Sequence, residues 1–225
     1  MATLAVEEPL EIRVGGAPYV VTMRTPGDDM DLAAGHLVSE GAIWRREHLP
    51  EMCYCTSVSG RSEQDYNTLS LTVSPDVPEP TSARATTMSS ACGVCGVDSI
   101  DEVRRSTHFP LGPAEPVITS DVLLGLPDRL RGRQKLFDKT GGVHAAGLFS
   151  ATGELICLRE DVGRHNAVDK VVGWALREDR LPLGGTILQV SGRASFELVQ
   201  KASMAGVPVL AAVSAPSSLA VDLAD

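Results

Sequence analysis

The chain predicts a mixed α/β fold, with a smaller β-rich N-terminal subdomain over residues 1–82 and an α/β core over 83–225. Three observations carry that expectation. Two alternating strands joined by glycines open the chain, and the proline-rich connector Ser74 to Thr81 marks a change of pattern. The C-terminal part then runs strand, helix, strand, helix, the order that yields parallel strands under a helical layer.

Each element has a local reason. Leu10-Glu11-Ile12-Arg13-Val14 and Tyr19-Val20-Val21-Thr22-Met23 flank Gly15-Gly16, which reads as a hairpin with a glycine turn. After Thr25-Pro26-Gly27 the pattern fits an amphipathic helix from about Asp28 to Glu40, stopped by Gly41. Met52 to Val58 and Thr68 to Val73 read as two more strands around a polar loop. Helical stretches over 98–105 and 120–138 precede a strand pair over 143–150 and 154–158, turned at Thr152-Gly153. A long helix is expected over 164–178. Two apolar strands, Thr186 to Val190 and Val207 to Val213, each lead through a Gly/Ser/Pro turn into a helix.

Composition narrows the function classes. With 225 residues, 43% hydrophobic and 22% charged, the chain can bury a substantial core as an ordinary globular protein. A net charge of −9 argues against a general nucleic-acid binder, which needs a basic surface to displace counterions. Any anionic ligand must instead meet a local cluster of cations and helix N-termini. Five cysteines do not suit a disulfide framework, the segment from Met1 to Arg13 lacks an apolar signal core, and no stretch reaches membrane-span length. A cytoplasmic protein with reduced thiols and no membrane or nucleic-acid partner is expected.

The densest chemistry lies in Ser89-Ser90-Ala91-Cys92-Gly93-Val94-Cys95-Gly96. Two cysteines two residues apart can share a metal, form a disulfide or tune one another's acidity, and a following helix would favour a thiolate at its N-terminus. The two glycines leave the loop free to present a sulfur outward. Near the C-terminus, Val190-Ser191-Gly192-Arg193-Ala194-Ser195 and Val213-Ser214-Ala215-Pro216-Ser217-Ser218 follow the two apolar strands. If those strands are parallel, both turns lie at the carboxyl edge of the sheet, where small hydroxyl residues and helix amides can cradle phosphate. Simple helix capping explains either turn alone. Arg193 beside one of them points to an anion site.

The run Leu158 to Lys170 is crowded with polar groups. On a helix, His165 and Asp169 share a face, as do Asn166 and Lys170. A solvated face with ordinary ion pairs is the bland reading. Gly163 at the helix start and the concentration of Arg164, His165 and Asn166 favour a site. His144, after Thr140-Gly141-Gly142-Val143, carries less signal alone.

Six segments together, in order, resemble the FdhD family of formate dehydrogenase accessory sulfurtransferases. They are Thr22-Met23-Arg24-Thr25-Pro26-Gly27, the Cys92–Gly96 loop, Thr140 to Ala146, Arg159 to Lys170, Ser191 to Glu197, and Ser214 to Ser218. The resemblance runs from about residue 7 to the end. It implies a cytidine-deaminase-like three-layer core and a homodimer. It also implies transfer of sulfane sulfur from a cysteine desulfurase, held as a cysteine persulfide, to the bis-molybdopterin guanine dinucleotide cofactor of formate dehydrogenase. That molybdenum cofactor is the substrate, and no tightly held cofactor or metal of the protein's own is expected. Cys92 matches the persulfide cysteine and Cys95 its motif partner. The cofactor, or a guanine nucleotide standing in for half of it, is expected to meet His144, Arg164, His165, Asn166, Lys170, Ser191, Gly192, Arg193, Ser195, Ser214, Pro216 and Ser217.

Two departures accompany the resemblance. Cys53 and Cys55 lie outside the family pattern and are expected in a variable loop. The chain also stops at Asp225, where family members continue with a further strand and a Gly/Arg-containing tail. Three other readings compete. Cys53, Cys55, Cys92 and Cys95 make four thiolates, enough for structural zinc, although Cys-x-Cys spacing is less usual. A zinc deaminase needs H-x-E before P-C-x-x-C, and here His144 follows the cysteines, with Ala146 in place of the Glu and Ala91 in place of the Pro. The third is a non-catalytic chaperone that delivers the cofactor and keeps its cysteines for structure.

Overall fold

The computed structural model describes residues 3–55, 66–78, 87–88, 106–109 and 118–225. The expected hairpin is β1 (Glu8–Val14) with β2 (Ala17–Arg24), antiparallel. Gly15 and Gly16 turn it at φ 58° and 85°, the left-handed geometry that a two-residue hairpin loop requires. β3 (Glu51–Tyr54) and β4 (Thr68–Thr72) extend the sheet on one side and β5 (Thr87–Met88) on the other, in the order β3-β4-β1-β2-β5. The expected strand from Met52 to Val58 thus ends at Tyr54, and 56–58 lie outside the described residues. Cys53 is in β3 opposite Ser70, and Cys55 follows it with its amide bonded to the Thr68 carbonyl. Both therefore belong to the sheet margin, a correction to the variable loop expected.

The helix α1 (Asp29–Ser39) occupies the span expected, but it is not amphipathic. All of its residues except Met30 are buried, so it is an interior helix enclosed on every side. Its main partner is α4 (Arg164–Arg177). The two cross backbone to backbone at glycines. A Cβ on Gly35 would stand 2.8 Å from the Gly173 amide nitrogen, and one on Gly173 would stand 2.7 Å from the Asp31 carbonyl carbon.

The second sheet contains β6 (His144–Ser150), β7 (Leu155–Asp161), β8 (Thr186–Arg193) and β9 (Val209–Ser214) in the order β7-β6-β8-β9. β8 and β9 are parallel as expected, with α5 (Phe196–Met204) between them in the chain, whereas β6 is antiparallel to both β7 and β8. β8 continues through Ser191 and Gly192 to Arg193, so those residues are strand rather than turn. The helical stretch expected over 120–138 divides into α2 (Ser120–Arg131) and α3 (Lys135–Thr140). Gly132 closes α2, and the Glu160 carboxylate then accepts the amides of Leu136 and Phe137 at 2.8 and 2.9 Å, starting a new helix. A short α6 (Ser218–Ala224) follows β9.

Alternation along the second sheet gives it two covered faces. Ala146, Leu148, Leu188 and Val190 point into the larger core with α1 and α4, while Ala145, Phe149 and Ile187 pack against Leu126 and Leu130 of α2. Helix, sheet and helix make the three layers. The larger core also takes in Leu10, Ile12, Leu69 and Leu71 of the first sheet. The expected 82/83 boundary falls outside the described residues. Among the described residues, no helix is long and apolar enough to cross a membrane.

Candidate functional site

One edge of the second sheet collects polar side chains from four strands. Because β6 is antiparallel to its neighbours, its start meets the ends of β7 and β8, and β9 ends there too. The register makes this explicit: His144 is opposite Asp161, and Arg193 is opposite Ser214. The N-termini of α4 and α5 reach the same edge from Gly163 and Ser195.

His144, Arg164, Ser191 and Gly192 form the centre. The Ser191 hydroxyl lies 3.5 Å from His144 Nδ1 and accepts the Ala145 amide at 2.9 Å. A Cβ on Gly192 would come 3.8 Å from His144 Nδ1 and 3.9 Å from Arg164 Cδ, so glycine leaves a hollow between them. Burial, and then the charge of Arg164, hold His144 below the ordinary imidazole range, against the pull of Asp161. The ring is therefore a neutral hydrogen-bonding group at pH 7.

His165 and Ser195 flank this centre from the two helix starts. Both are buried, and among the described residues neither His165 Nε2 nor Ser195 Oγ has a hydrogen-bond partner. A buried polar atom without a partner costs free energy, so such atoms mark places built to meet something else. Glu197 Oε2 is 3.9 Å from His165 Nε2, beyond hydrogen-bond reach. Burial and the charges of Lys201 and Arg164 push His165 down to about 4.

Arg193, Ser214 and Pro216 form an exposed rim. Ser217 is capped into the structure: its hydroxyl accepts the Ala220 amide at 3.3 Å, and its own amide donates to the Ala194 carbonyl at 3.0 Å. The bland capping role therefore holds for Ser217, and this bond ties the two C-terminal turns together. A cavity of about 640 Å³ opens beside the centre, between Gln134, Phe137, Val143, His144, Ser191 and Val213, large enough for a bicyclic ring system.

Asn166 and Lys170 are placed differently from the expectation. Both are buried, and Lys170 is 1% exposed. Lys170 Nζ is 2.8 Å from Asp161 Oδ2 and donates to the Thr25 carbonyl at 2.9 Å. The Asn166 amide donates to the Met23 carbonyl at 2.7 Å and to Asp161 Oδ1 at 3.0 Å. Spacing alone reads this helix face as open to a ligand. In the fold it is turned inward against the N-terminal segment, so neither side chain faces the edge. Likewise the imidazole beside Asp169 is that of His36, 3.8 Å away, rather than that of His165. Asp169 also accepts from Ser39 at 2.6 Å and from Lys201 at 2.8 Å; burial would raise its carboxyl, but the Lys201 charge and the His36 contact hold it down at about 2.

Sequence reasoning did not single out Asp161, Thr25, His36 or Lys201. Asp161 lay within the charged run, and Thr25 within one of the six segments, but nothing in either indicated that the two would meet. The cysteine motif, Cys92 and Cys95, lies outside the described residues, as does the 98–105 stretch. Of the described cysteines, Cys53 is exposed, Cys55 is half-buried, and Cys157 is buried with its thiol pushed up to about 12 by that burial. Among the described residues no cluster of three or more potential ligands could hold a metal ion.

A sequence profile of the FdhD/NarQ family matches residues 5–225. The "Sulfur carrier protein FdhD" of Streptomyces coelicolor is 55% identical over 225 residues, covering 99% of this chain and 80% of the relative. Its namesake from Mycobacterium tuberculosis is 53% identical over 228 residues, covering 99% and 83%. A crystal structure assigned to a formate dehydrogenase accessory protein, from Desulfotalea psychrophila, superposes with a TM-score of 0.76 at 24% identity. It covers 99% of this chain and 81% of that one, and so shares its fold.

Proposed function

The chain belongs to the FdhD/NarQ family, and from that membership we propose that it is a sulfurtransferase serving formate dehydrogenase maturation. Relatives over half identical along almost the whole chain are sulfur carriers by name, and that is the observation that carries the reading. In this reading a cysteine desulfurase presents a persulfide, and the Cys92 thiolate attacks its outer sulfur. The S–S bond of the donor breaks, the donor cysteine leaves as thiolate, and Cys92 becomes the persulfide. Cys95 assists. The outer sulfur then passes to the bis-molybdopterin guanine dinucleotide cofactor, which is the substrate: the S–S bond on Cys92 breaks, Cys92 leaves as thiolate, and the reduced cofactor supplies the two electrons that bring the sulfane sulfur to sulfide level.

The sheet edge suits that substrate. Its phosphates are anions, and this acidic chain can hold them only where cations and helix amides gather. Arg164 and Arg193 supply charge. Ser191, Ser195 and the neutral His144 and His165 supply hydrogen bonds, and the hollow at Gly192 admits a close approach. The adjacent cavity has the volume for a purine or pterin ring. The protein works in the cytoplasm as a homodimer in this reading.

The test is formation of a persulfide on Cys92 after incubation with a desulfurase and cysteine, read by mass spectrometry. Cells carrying Cys92→Ala lose formate dehydrogenase activity, and those carrying Cys95→Ala keep part of it. Full activity with Cys92→Ala, or cofactor delivery with no persulfide, would overturn the proposal in favour of a cofactor-binding chaperone.

A further inference from the structure

Asp161 is fully buried, and its partners among the described residues join the start of α4, which reaches the candidate site, to the loop after β2 and to the inward face of α4. Oδ1 accepts the Gly163 amide at 2.8 Å and Asn166 Nδ2 at 3.0 Å, both at the start of α4. Oδ2 accepts the Thr25 amide at 3.1 Å and lies 2.8 Å from Lys170 Nζ. Thr25 returns the grip: its hydroxyl accepts the Val162 amide at 3.0 Å, and its carbonyl accepts Lys170. Asn166 reaches past it to Met23. The loop after β2, the end of β7 and the first turn of α4 are thus locked to one carboxylate.

We infer that Asp161 is the positioning residue of this site, fixing the start of α4 so that Arg164 and His165 are aimed at the sheet edge, with Lys170 and Thr25 as its counterparts. This rests on the reading of that edge as the ligand site. A carboxylate with no exposed surface cannot touch a ligand, so its effect must pass through what it holds. A buried ion pair is also poor evidence for stability alone, because well-packed apolar groups often serve as well. What this group does that apolar groups cannot is fix direction: two directed bonds hold Gly163 and Asn166 at the start of α4, while the Thr25 amide and Lys170 fix the carboxylate itself. Gly163 gives α4 no side-chain cap, so the anchor at the helix entry comes from Asp161 two residues earlier. The assignment also gives Lys170 a role that its 1% exposure allows.

The experiment compares Asp161→Asn with Asp31→Asn in the full chain. Asp31 is an equally buried carboxylate on α1 that binds Arg159 and Arg177, away from the edge. Asparagine at 161 keeps the shape but sets an amide against the Thr25 and Lys170 donors, or else loses Gly163 and Asn166. Calorimetry with GDP should show affinity reduced at least tenfold by Asp161→Asn and changed less than twofold by Asp31→Asn, when both are measured well below their melting temperatures. Amide hydrogen exchange without ligand should quicken at Ala167 and Val168 only in Asp161→Asn. If Asp161→Asn does not fold, the pair Asp161→Asn with Lys170→Met removes the stranded ammonium, and it should fold with the affinity still lost. Wild-type affinity in a folded Asp161 variant, or equal exchange changes in both variants, would overturn the inference. If the wild-type chain itself ignores GDP, the nucleotide part of the functional reading fails, and the exchange comparison decides the positioning role by itself.

Discussion

Replacing Gly35 by alanine puts a methyl group where α1 and α4 touch through their backbones. That Cβ would lie 2.6 Å from the Asp169 carbonyl carbon and 2.8 Å from the Gly173 nitrogen, and closer still to the Asp169 oxygen. Easing 2.6 Å out to the 3.4 Å of ordinary contact parts the helices by at least 0.8 Å, because neither obstacle is a side chain that can swing aside. A gap of that size forfeits about a quarter to a half of the dispersion energy of the atoms facing it. It also stretches the 2.6 Å bond from Ser39 to Asp169, a loss of about 1 kcal/mol. Overpacking of a tight core costs about 1–3 kcal/mol, and backbone on both sides places this case at the upper end. Against it stands the intrinsic helix preference of alanine over glycine, at most about 1 kcal/mol. The net expectation is a destabilisation of about 3 kcal/mol, or a fall in Tm of about 6–12 °C for a chain of this size. Urea titration and thermal melting measure it. Gly125→Ala in α2 is the control, since its Cβ would meet nothing nearer than 3.6 Å, and it should hold or gain stability. If Gly35→Ala gains stability as Gly125→Ala does, the two helices do not approach as closely as described.

Other expectations concern the site. His165 is held at about 4 when folded and returns to near 6.5 when unfolded, so the unfolded chain binds the extra proton between those values. Stability should therefore be complete above pH 6.5 and decline as the pH falls towards 4. His165→Gln should flatten that decline, measured as urea midpoints at pH 5 and pH 7, and an unchanged slope would show that the imidazole is not buried neutral. Arg193→Ala should weaken GDP binding about ten- to a hundredfold by removing one charge-assisted phosphate contact, and unchanged calorimetric affinity would remove Arg193 from the site.

Which features could be read from the sequence depended on the range over which they are determined. The β1–β2 hairpin and its glycine turn, the bounds of α4 and the parallel pair β8–β9 are set by short-range periodicity and turn chemistry, and each is found where the pattern places it. The division of α2 from α3 was hidden because the group that starts α3 is Glu160, a residue from a strand further along the chain. Lys170 and Asn166 were misplaced for a related reason. Spacing assigns residues to a helix face but does not tell whether that face meets solvent or another segment. Here it meets Met23 and Thr25, about 145 positions earlier. That the ends of β8 and β9, with Ser191, Gly192, Arg193 and Ser214, share one edge follows from the parallel pair, whereas His144 joins them only because β6 runs antiparallel to β8, which local pattern does not reveal. The orphaned state of His165 Nε2 and Ser195 Oγ could not be anticipated, because it depends on every neighbour failing to supply a partner.

The complete enclosure of α1 bears on how the chain is made. As it leaves the ribosome, the apolar side chains of this helix have nothing to pack against, because its partner α4 begins only at Arg164, 125 residues after Ser39. At a synthesis rate of about 5–20 residues per second that interval is about 6–25 s, long beside the microseconds in which a helix forms or melts. The contacts that finally enclose α1 are among those of greatest sequence separation, so they close late and set a slow folding rate. During that interval Leu32, Leu37 and Val38 form a sticky nascent segment. Ribosome-associated holdase capacity, rather than thermodynamic stability, should then limit the yield of soluble protein when the chain is overproduced.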